Sequence, residues 1–104
     1  MKHQMVNLGL FVRIEARPGK EEEVTQLLRS ALPLVRDENA TAVWLALQFG
    51  PTSFAIFDAF PDEEGREAHL KGKVPAALMA RAEELLVSPP SIEKLDVLAS
   101  KLPL

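Results

Sequence analysis

Apolar residues alternate with other residues along the first part of the chain. From Val6 to Ala16 every second residue is apolar, while mainly polar side chains fill the other phase. A period of two is typical of a β-strand with one buried face. Pro18 and Gly19 then predict a turn. The pattern therefore predicts a first strand over Val6–Ala16.

After this turn the apolar residues recur at the spacing of an α-helix. One apolar stripe predicts a helix over Lys20–Arg36, with glutamates in its first turn, where the helix dipole favours negative charge. Because proline lacks an N–H group, we expect Pro33 to kink the last turn or to end the helix early. The residues of the stripe are Val24, Leu27, Leu28, Ala31 and Val35.

The remaining pattern predicts three more strands and a helix broken in two, with Asp62 placed to cap the first piece. The order βαββαβ indicates an α+β, ferredoxin-like fold. We expect one domain over residues 1–104, with an antiparallel four-stranded sheet and helices on one face. The predicted elements are strands Ala42–Phe49, Ser53–Phe60 and Ile92–Ala99, and helices Asp62–Lys71 and Ala76–Val87.

Composition excludes several classes of protein. A net charge of −3 without any basic run argues against nucleic-acid binding. Cysteine is absent, which excludes disulfides and thiolate metal sites, and the two histidines lie far apart, so no metal is expected. No apolar stretch approaches the ~20 residues of a membrane helix, and the N-terminal region lacks the pattern of a signal peptide. We therefore expect a cytoplasmic protein with no membrane partner.

The segment from Ser53 to Leu70 carries the candidate chemistry. His69 is the only histidine outside the N-terminal tail, and histidine is the side chain suited to proton transfer near neutral pH. Asp58 shares a predicted strand face with Phe60, on the helix-covered side, where a carboxylate needs a partner. It is either a general base beside His69 or the structural partner of Arg66 or Arg81.

The opposite face of the predicted sheet is apolar and has no helix to cover it. Phe11 and several hairpin residues lie on this face by alternation. An exposed face of this kind usually has a partner. The simplest arrangement is a homodimer with the two sheets packed face to face.

Three motifs follow one another along the chain: the strand and turn LFVRIEARPGKEEE, the hairpin end Phe57-Asp58-Ala59-Phe60, and the helix segment Ala68-His69-Leu70. Together they resemble the antibiotic biosynthesis monooxygenase superfamily of dimeric α+β barrel proteins. The resemblance implies a homodimer with a pocket between sheet and helices in each subunit. Enzymes of this family oxidise quinols and anthrones with O2 and need no metal or flavin, so no cofactor is expected. A haem-degrading branch uses an Asn, a Trp and a later His, and this chain has no histidine after Leu70, so that activity is not expected.

Each candidate residue has a functional and a structural alternative, and the resemblance favours the functional one for His69. His69 and Asp58 would be catalytic, with a neutral imidazole near its unperturbed pKa taking or relaying a substrate proton; otherwise His69 caps the helix end or packs on Phe60. Trp44, Phe60 and Met79 would contact a flat substrate, or else fill the core. The partners would be a small aromatic molecule and O2. The alternative functions are a non-catalytic small-molecule-binding or sensing homodimer, or an assembly protein without a small ligand.

Overall fold

The computed structural model describes residues 6–103, which form four strands and three helices in the predicted order. The α+β ferredoxin-like fold is therefore confirmed, with the second helix divided in two. The elements are β1 (Leu8–Glu15), α1 (Glu21–Arg36), β2 (Val43–Gln48), β3 (Ser53–Phe60), α2 (Glu63–Leu70), α3 (Lys73–Leu85) and β4 (Ser91–Asp96).

The four strands form one antiparallel sheet in the order β2-β3-β1-β4. The pairing register aligns Asp58 of β3 with Leu10 of β1 on one side and with Trp44 of β2 on the other. Residues that pair directly across strands point to the same face of a sheet. These three side chains therefore form one row on the face that the helices cover.

The core lies between this sheet face and the helices. Alternate residues of β1 and β3 meet the apolar stripes of α1 and α3, as the sequence predicts. The buried core side chains form two groups, and the partly buried Trp44 packs against both. The larger group contains Val12, Ile14, Ala16, Val24, Leu28, Phe54, Ile56, Leu78, Ala82, Leu85 and Leu86.

Proline explains two differences between the predicted and observed helices. Of the two outcomes expected for Pro33, an early end of the helix is wrong, because α1 continues through Pro33 to Arg36. A proline near the C-terminus removes one hydrogen bond only, and buried Ala31 and Val35 hold this turn against the core. Helix α3 begins at Lys73, three residues before its predicted start, because Pro75 is tolerated within a first turn.

The last strand is shorter than predicted. β4 ends at Asp96, which pairs with Leu8 at the beginning of β1, and one further hydrogen bond runs from the Val97 N–H to the Asn7 carbonyl. The strand predicted to Ala99 therefore ends three residues earlier, at Asp96. Leu98 is exposed.

Helix α2 starts directly after β3. The Asp62 side chain accepts a hydrogen bond of 2.9 Å from the Gly65 N–H, which confirms the predicted N-cap. Gly65 also allows the α1–β2 loop to come close, because a Cβ atom at this position would lie 3.1 Å from the Cβ of Ala40. The loop and α2 are therefore in contact.

Among residues 6–103, no helix is long and apolar enough to cross a membrane. The longest helix of this part of the chain, α1, has 16 residues and begins with three glutamates.

A substitution at Gly9 would test the close approach of β1 to its neighbours. A Cβ atom on Gly9 would lie 2.8 Å from the Asp58 carbonyl oxygen and 2.7 Å from Cδ1 of Leu95. We expect Gly9→Ala to lower the free energy of unfolding by about 1–3 kcal/mol through this overlap. Gly50→Ala is the matched control, since nothing lies within 4 Å of its added Cβ, and should change the free energy by less than about 0.5 kcal/mol. Equal effects in urea unfolding would contradict this explanation.

Candidate functional site

Asp58 is a carboxylate buried beneath the helices. It lies in the middle of β3, flanked by β1 and β2, and is 1% exposed. Neither of its oxygens has a hydrogen-bond partner among the described residues. A buried charge without a partner is costly, so the nearest group that can carry positive charge determines what this site can do.

That group is His69, in the last turn of α2. Its side chain is 4% exposed, and Nε2 lies 3.0 Å from Oδ2 of Asp58. This is an ion-pair distance, although the ring is not aligned for a good hydrogen bond to either carboxylate oxygen. The Phe60 ring packs on the imidazole at a centroid distance of 5.4 Å. Of the two alternatives for Asp58, the structure therefore has the one that places it beside His69.

The other nitrogen of His69 contacts a residue that the sequence analysis did not identify. Nδ1 lies 2.6 Å from Oε1 of Glu38, in the loop between α1 and β2. The same oxygen accepts a hydrogen bond of 2.7 Å from Oγ1 of Thr41. Because an ionised carboxylate only accepts hydrogen bonds, Nδ1 is the donor in this contact when Glu38 is ionised. The nitrogen that faces Asp58 is Nε2. No local pattern marks Glu38, which is 31 residues from His69.

The environment raises the pKa of His69. Burial of the ring disfavours the charged form and is the largest single influence, but the combined attraction to Asp58 and Glu38 outweighs it, so the pKa lies above its ordinary value of 6.5. The sequence-based expectation of a neutral imidazole with an unperturbed pKa is therefore wrong. Two nearby carboxylates favour the imidazolium form.

A small apolar cavity adjoins this pair. Its volume is about 30 Å³, enough for about one water molecule, and Asp58 and His69 are the two ionisable groups in its wall. Met79 lines it too and is 53% exposed, so it lies between the cavity and solvent. The remaining wall is formed by Leu10, Val12, Ile56, Leu70, Val74, Pro75, Leu78 and Ile92.

The other predicted contact residues lie outside the cavity wall. Phe60 is fully buried behind the His69 ring. Trp44 packs in the core beside Asp58, and its buried Nε1–H has no hydrogen-bond partner among the described residues. Both positions are those of core side chains, so a substrate would meet them only if the cavity enlarged. Their roles as substrate contacts stay predictions.

The arginines considered as structural partners of Asp58 are engaged elsewhere. Arg66 donates to the carbonyls of Gly9 and Leu95 and pairs with Glu63. Arg81 pairs with acidic residues on the protein surface. The expectation of an arginine partner for Asp58 is therefore wrong, since His69 occupies that place.

His69 separates two different environments. On one side is the apolar cavity with Asp58, and on the other is an open groove of about 340 Å³ whose wall includes Glu38, Asn39, Thr41 and Lys73. Residues 6–103 contain no group of three or more acidic, histidine or cysteine side chains arranged to hold a metal ion. Glu38, His69 and Asp58 form a continuous series of contacts from the groove to the cavity.

Comparison with solved structures places this fold in a defined class. A protein provisionally identified as an antibiotic biosynthesis monooxygenase from Nitrosomonas europaea has a TM-score of 0.80 and 16% identity, with 88% of this chain and 99% of that chain covered. PA3566 from Pseudomonas aeruginosa has a TM-score of 0.79 and 24% identity, with 94% and 100% covered. The chain thus has the antibiotic biosynthesis monooxygenase fold, which confirms the resemblance at the level of structure.

Sequence identity shows the family of this chain, whereas the preceding structures show its fold. The NE2512 protein of unknown function from Nitrosomonas europaea is 56% identical, with a TM-score of 0.95 over 98% of this chain and 99% of that chain. The chain belongs to the same family as NE2512. No model of a protein family matches the sequence, and no curated protein is significantly similar to it.

The raised pKa of His69 predicts how stability depends on pH. A pKa that is higher in the folded state adds stability that is complete below about 6.5 and is lost as pH rises through the folded-state pKa. We expect the wild-type free energy of unfolding to fall above pH 6.5, relative to His69→Gln, with a slope of at most about 1.4 kcal/mol per pH unit.

Urea unfolding between pH 5.5 and pH 9 would measure this difference. The control is His3→Gln, which removes the other histidine of the chain; His3 lies outside the described residues. Parallel stability profiles for the wild type and His69→Gln would contradict the raised pKa.

Proposed function

We propose that this protein is a cofactor-independent monooxygenase that oxidises a small quinol or anthrone-like aromatic molecule with O2. The observation that carries the proposal is the buried Asp58 carboxylate, which has no hydrogen-bond donor of its own among the described residues and faces an apolar cavity 3.0 Å from His69. Such a carboxylate is suited to accept a proton from a weakly acidic, largely apolar molecule.

Asp58 is the proposed base. It takes one proton from the activated methylene of an anthrone-like substrate, and the electron pair stays on the substrate as a carbanion. This carbanion reacts with O2 to form a peroxide, which is then protonated. Loss of the second methylene proton forms the C=O bond and breaks the O–O bond, and the other oxygen leaves as water. One CH2 group and one O2 thus become one carbonyl and one water, without a further reductant.

His69 has a different task in this mechanism from the one expected from the sequence. Because its pKa is raised, the ring favours the imidazolium form, which is a poor base but a good source of positive charge. Beside Asp58 in a cavity with little water, this charge would stabilise the anion that develops on the substrate. His69 can also return a proton to the peroxide from Nε2.

Substrate binding requires the cavity to enlarge, because about 30 Å³ cannot hold an aromatic ring. Met79 is the side chain best placed to open it. It also lines a surface groove of about 350 Å³ that includes Leu86 and Val87. Methionine is flexible and adapts to irregular ligands, so displacement of this one side chain would join the groove to the cavity.

The second candidate is a non-catalytic small-molecule-binding homodimer. It is favoured by the contacts of His69, since a histidine held between Asp58 and Glu38 also ties α2 to β3 and to the α1–β2 loop. In that case the charge network would be structural. A ligand that binds and is recovered unchanged under air would favour this candidate.

A homodimer is part of the proposal. The sheet face opposite the helices carries Leu45, 50% exposed, and Phe49, 59% exposed. Leu45 pairs across the strands with Phe57, and Phe57 pairs with Phe11, so apolar side chains cross three strands. A second copy with the same face would cover this surface through a twofold axis.

Oxygen uptake by the protein would test the proposed activity. With a panel of quinols and anthrones, we expect wild-type uptake above the autoxidation rate. Asp58→Asn keeps the shape but removes the base, and should lower the rate about 100-fold or more. His69→Ala should lower it as well, by removing the charge beside the substrate.

Glu67→Gln is the matched control for this assay, because Glu67 pairs with Lys94 on the surface and should leave uptake unchanged. Circular dichroism would confirm that each variant is folded. Full activity in Asp58→Asn, or uptake equal to autoxidation with every substrate of the panel, would count against the proposed mechanism.

Light scattering would test the homodimer. We expect a mass of two chains at micromolar concentration for the wild type and of one chain for Leu45→Glu, because a carboxylate on the open face would be buried without a partner. Leu32→Glu on α1 is the control, since Leu32 is exposed on the helical side of the fold. A monomeric wild type would rule out this assembly.

A further inference from the structure

We propose that Glu38 is a positioning residue that anchors Nδ1 of His69, so that Nε2 is the nitrogen that gains and loses a proton beside Asp58. This inference rests on the proposed function, because it gives a part in substrate deprotonation to a residue that does not line the apolar cavity. Glu38 comes from a loop that no sequence motif marks.

The geometry around Glu38 is that of a residue held in place. Its N–H donates to the Val35 carbonyl at 2.9 Å, and its carbonyl accepts from the Thr41 N–H at 3.3 Å. The Thr41 hydroxyl donates to Oε1, the same oxygen that contacts Nδ1 of His69. Backbone and side chain are both fixed, so the direction in which the carboxylate meets the ring is fixed too.

This anchoring has a chemical consequence at the opposite side of the ring. A neutral histidine can carry its proton on either nitrogen, and the partner of one nitrogen determines the state of the other. With the Nδ1 proton held by Glu38, the lone pair or the second proton is at Nε2. That atom lies 3.0 Å from Asp58 Oδ2 and faces the cavity.

Glu38 can perform this role because it lies between water and the buried pair. Its side chain is 21% exposed, whereas that of His69 is 4% exposed and that of Asp58 is 1% exposed. It lines the open groove, so solvent reduces the cost of its charge. It therefore supports the buried ring without being buried itself.

Two carboxylates contact the His69 ring, and the nearby basic residues do not. Asp58 faces Nε2 from β3, and Glu38 faces Nδ1 from the loop. Arg66, one turn earlier on α2, is directed to Glu63 and to two strand carbonyls. Lys73 of α3 lines the same groove as Glu38. The charge state of His69 should therefore respond mainly to Asp58 and Glu38.

Nitrogen NMR of the His69 ring tests this inference without any substrate. In the wild type at alkaline pH, we expect the proton on Nδ1 and an unprotonated Nε2. Glu38→Leu removes the acceptor, so the neutral ring should no longer keep its proton on Nδ1. The pKa of the ring should also fall. Glu38→Gln keeps an acceptor oxygen but loses the charge, so it should lower the pKa and retain more of the Nδ1–H form.

Two further variants keep the test decisive. Thr41→Val removes the hydrogen bond to Oε1 of Glu38, and should produce a smaller change in the same direction. Glu67→Gln is the control and should leave the ring unchanged. If Glu38→Gln and Thr41→Val leave both the tautomer and the titration as in the wild type, the inference is overturned, even if Glu38→Leu fails to fold.

Activity provides the second readout. On a substrate that the wild type oxidises, Glu38→Leu should lower kcat about 100-fold with little change in KM, because ring orientation and not binding is lost. Glu38→Gln should retain more activity. Since the proposed mechanism uses the positive charge of His69, activity should decline at alkaline pH as the ring loses its proton, and this decline should move to lower pH in Glu38→Gln. A residue with a structural role alone would lower the melting temperature without moving this decline or the ring tautomer.

Failure of this inference can be distinguished from failure of the proposed function. If the ring tautomer changes as expected but no substrate is oxidised, Glu38 positions His69 in a protein with another function. If oxidation occurs and depends on Asp58, but the ring is unaffected in every Glu38 variant, the oxygenase stands and the role of Glu38 is refuted.

Discussion

A carboxylate in an apolar interior must be balanced by positive charge, and this constraint organises the structure around Asp58. The residue lies on the inner face of β3 with a strand on either side, so its side chain cannot reach water. Only the helical layer can supply a partner. Helix α2 begins at Glu63, directly after β3, and its last turn places His69 against Asp58. The α1–β2 loop then supplies Glu38 to the other side of the ring.

The identity of the partner matters as much as its position. An arginine beside Asp58 would stay charged at every physiological pH and would form a permanent ion pair. Arg66 is near enough in the fold to be considered, but it is directed to backbone carbonyls at the end of the sheet. Histidine leaves the charge of the site adjustable near neutral pH. The site therefore combines a buried carboxylate with a group whose protonation can change.

The fold by itself leaves the activity open. Proteins with little sequence similarity share this architecture, and the chemistry that each performs depends on the side chains in its pocket. In this chain the pocket is nearly filled, with Met79 at its outer side. Catalysis on an aromatic substrate would thus couple the movement of flexible side chains at the surface to the exposure of Asp58 within.

The sequence by itself determined the elements and their order, because strand and helix periods follow from local alternation, and prolines and glycines mark most of the turns. It also predicted that Asp58 lies on the inner face of β3, since strand alternation is a local feature, but it left open whether Asp58 lies beside His69 or pairs with an arginine. Only the tertiary structure decided that Pro33 stays within α1, that β4 ends at Asp96, and that the cavity is nearly filled. It also decided the place of Glu38. The contact between Glu38 and His69, which are 31 residues apart, depends on how the loop packs against α2. The local alternation of apolar and polar residues does not predict such packing.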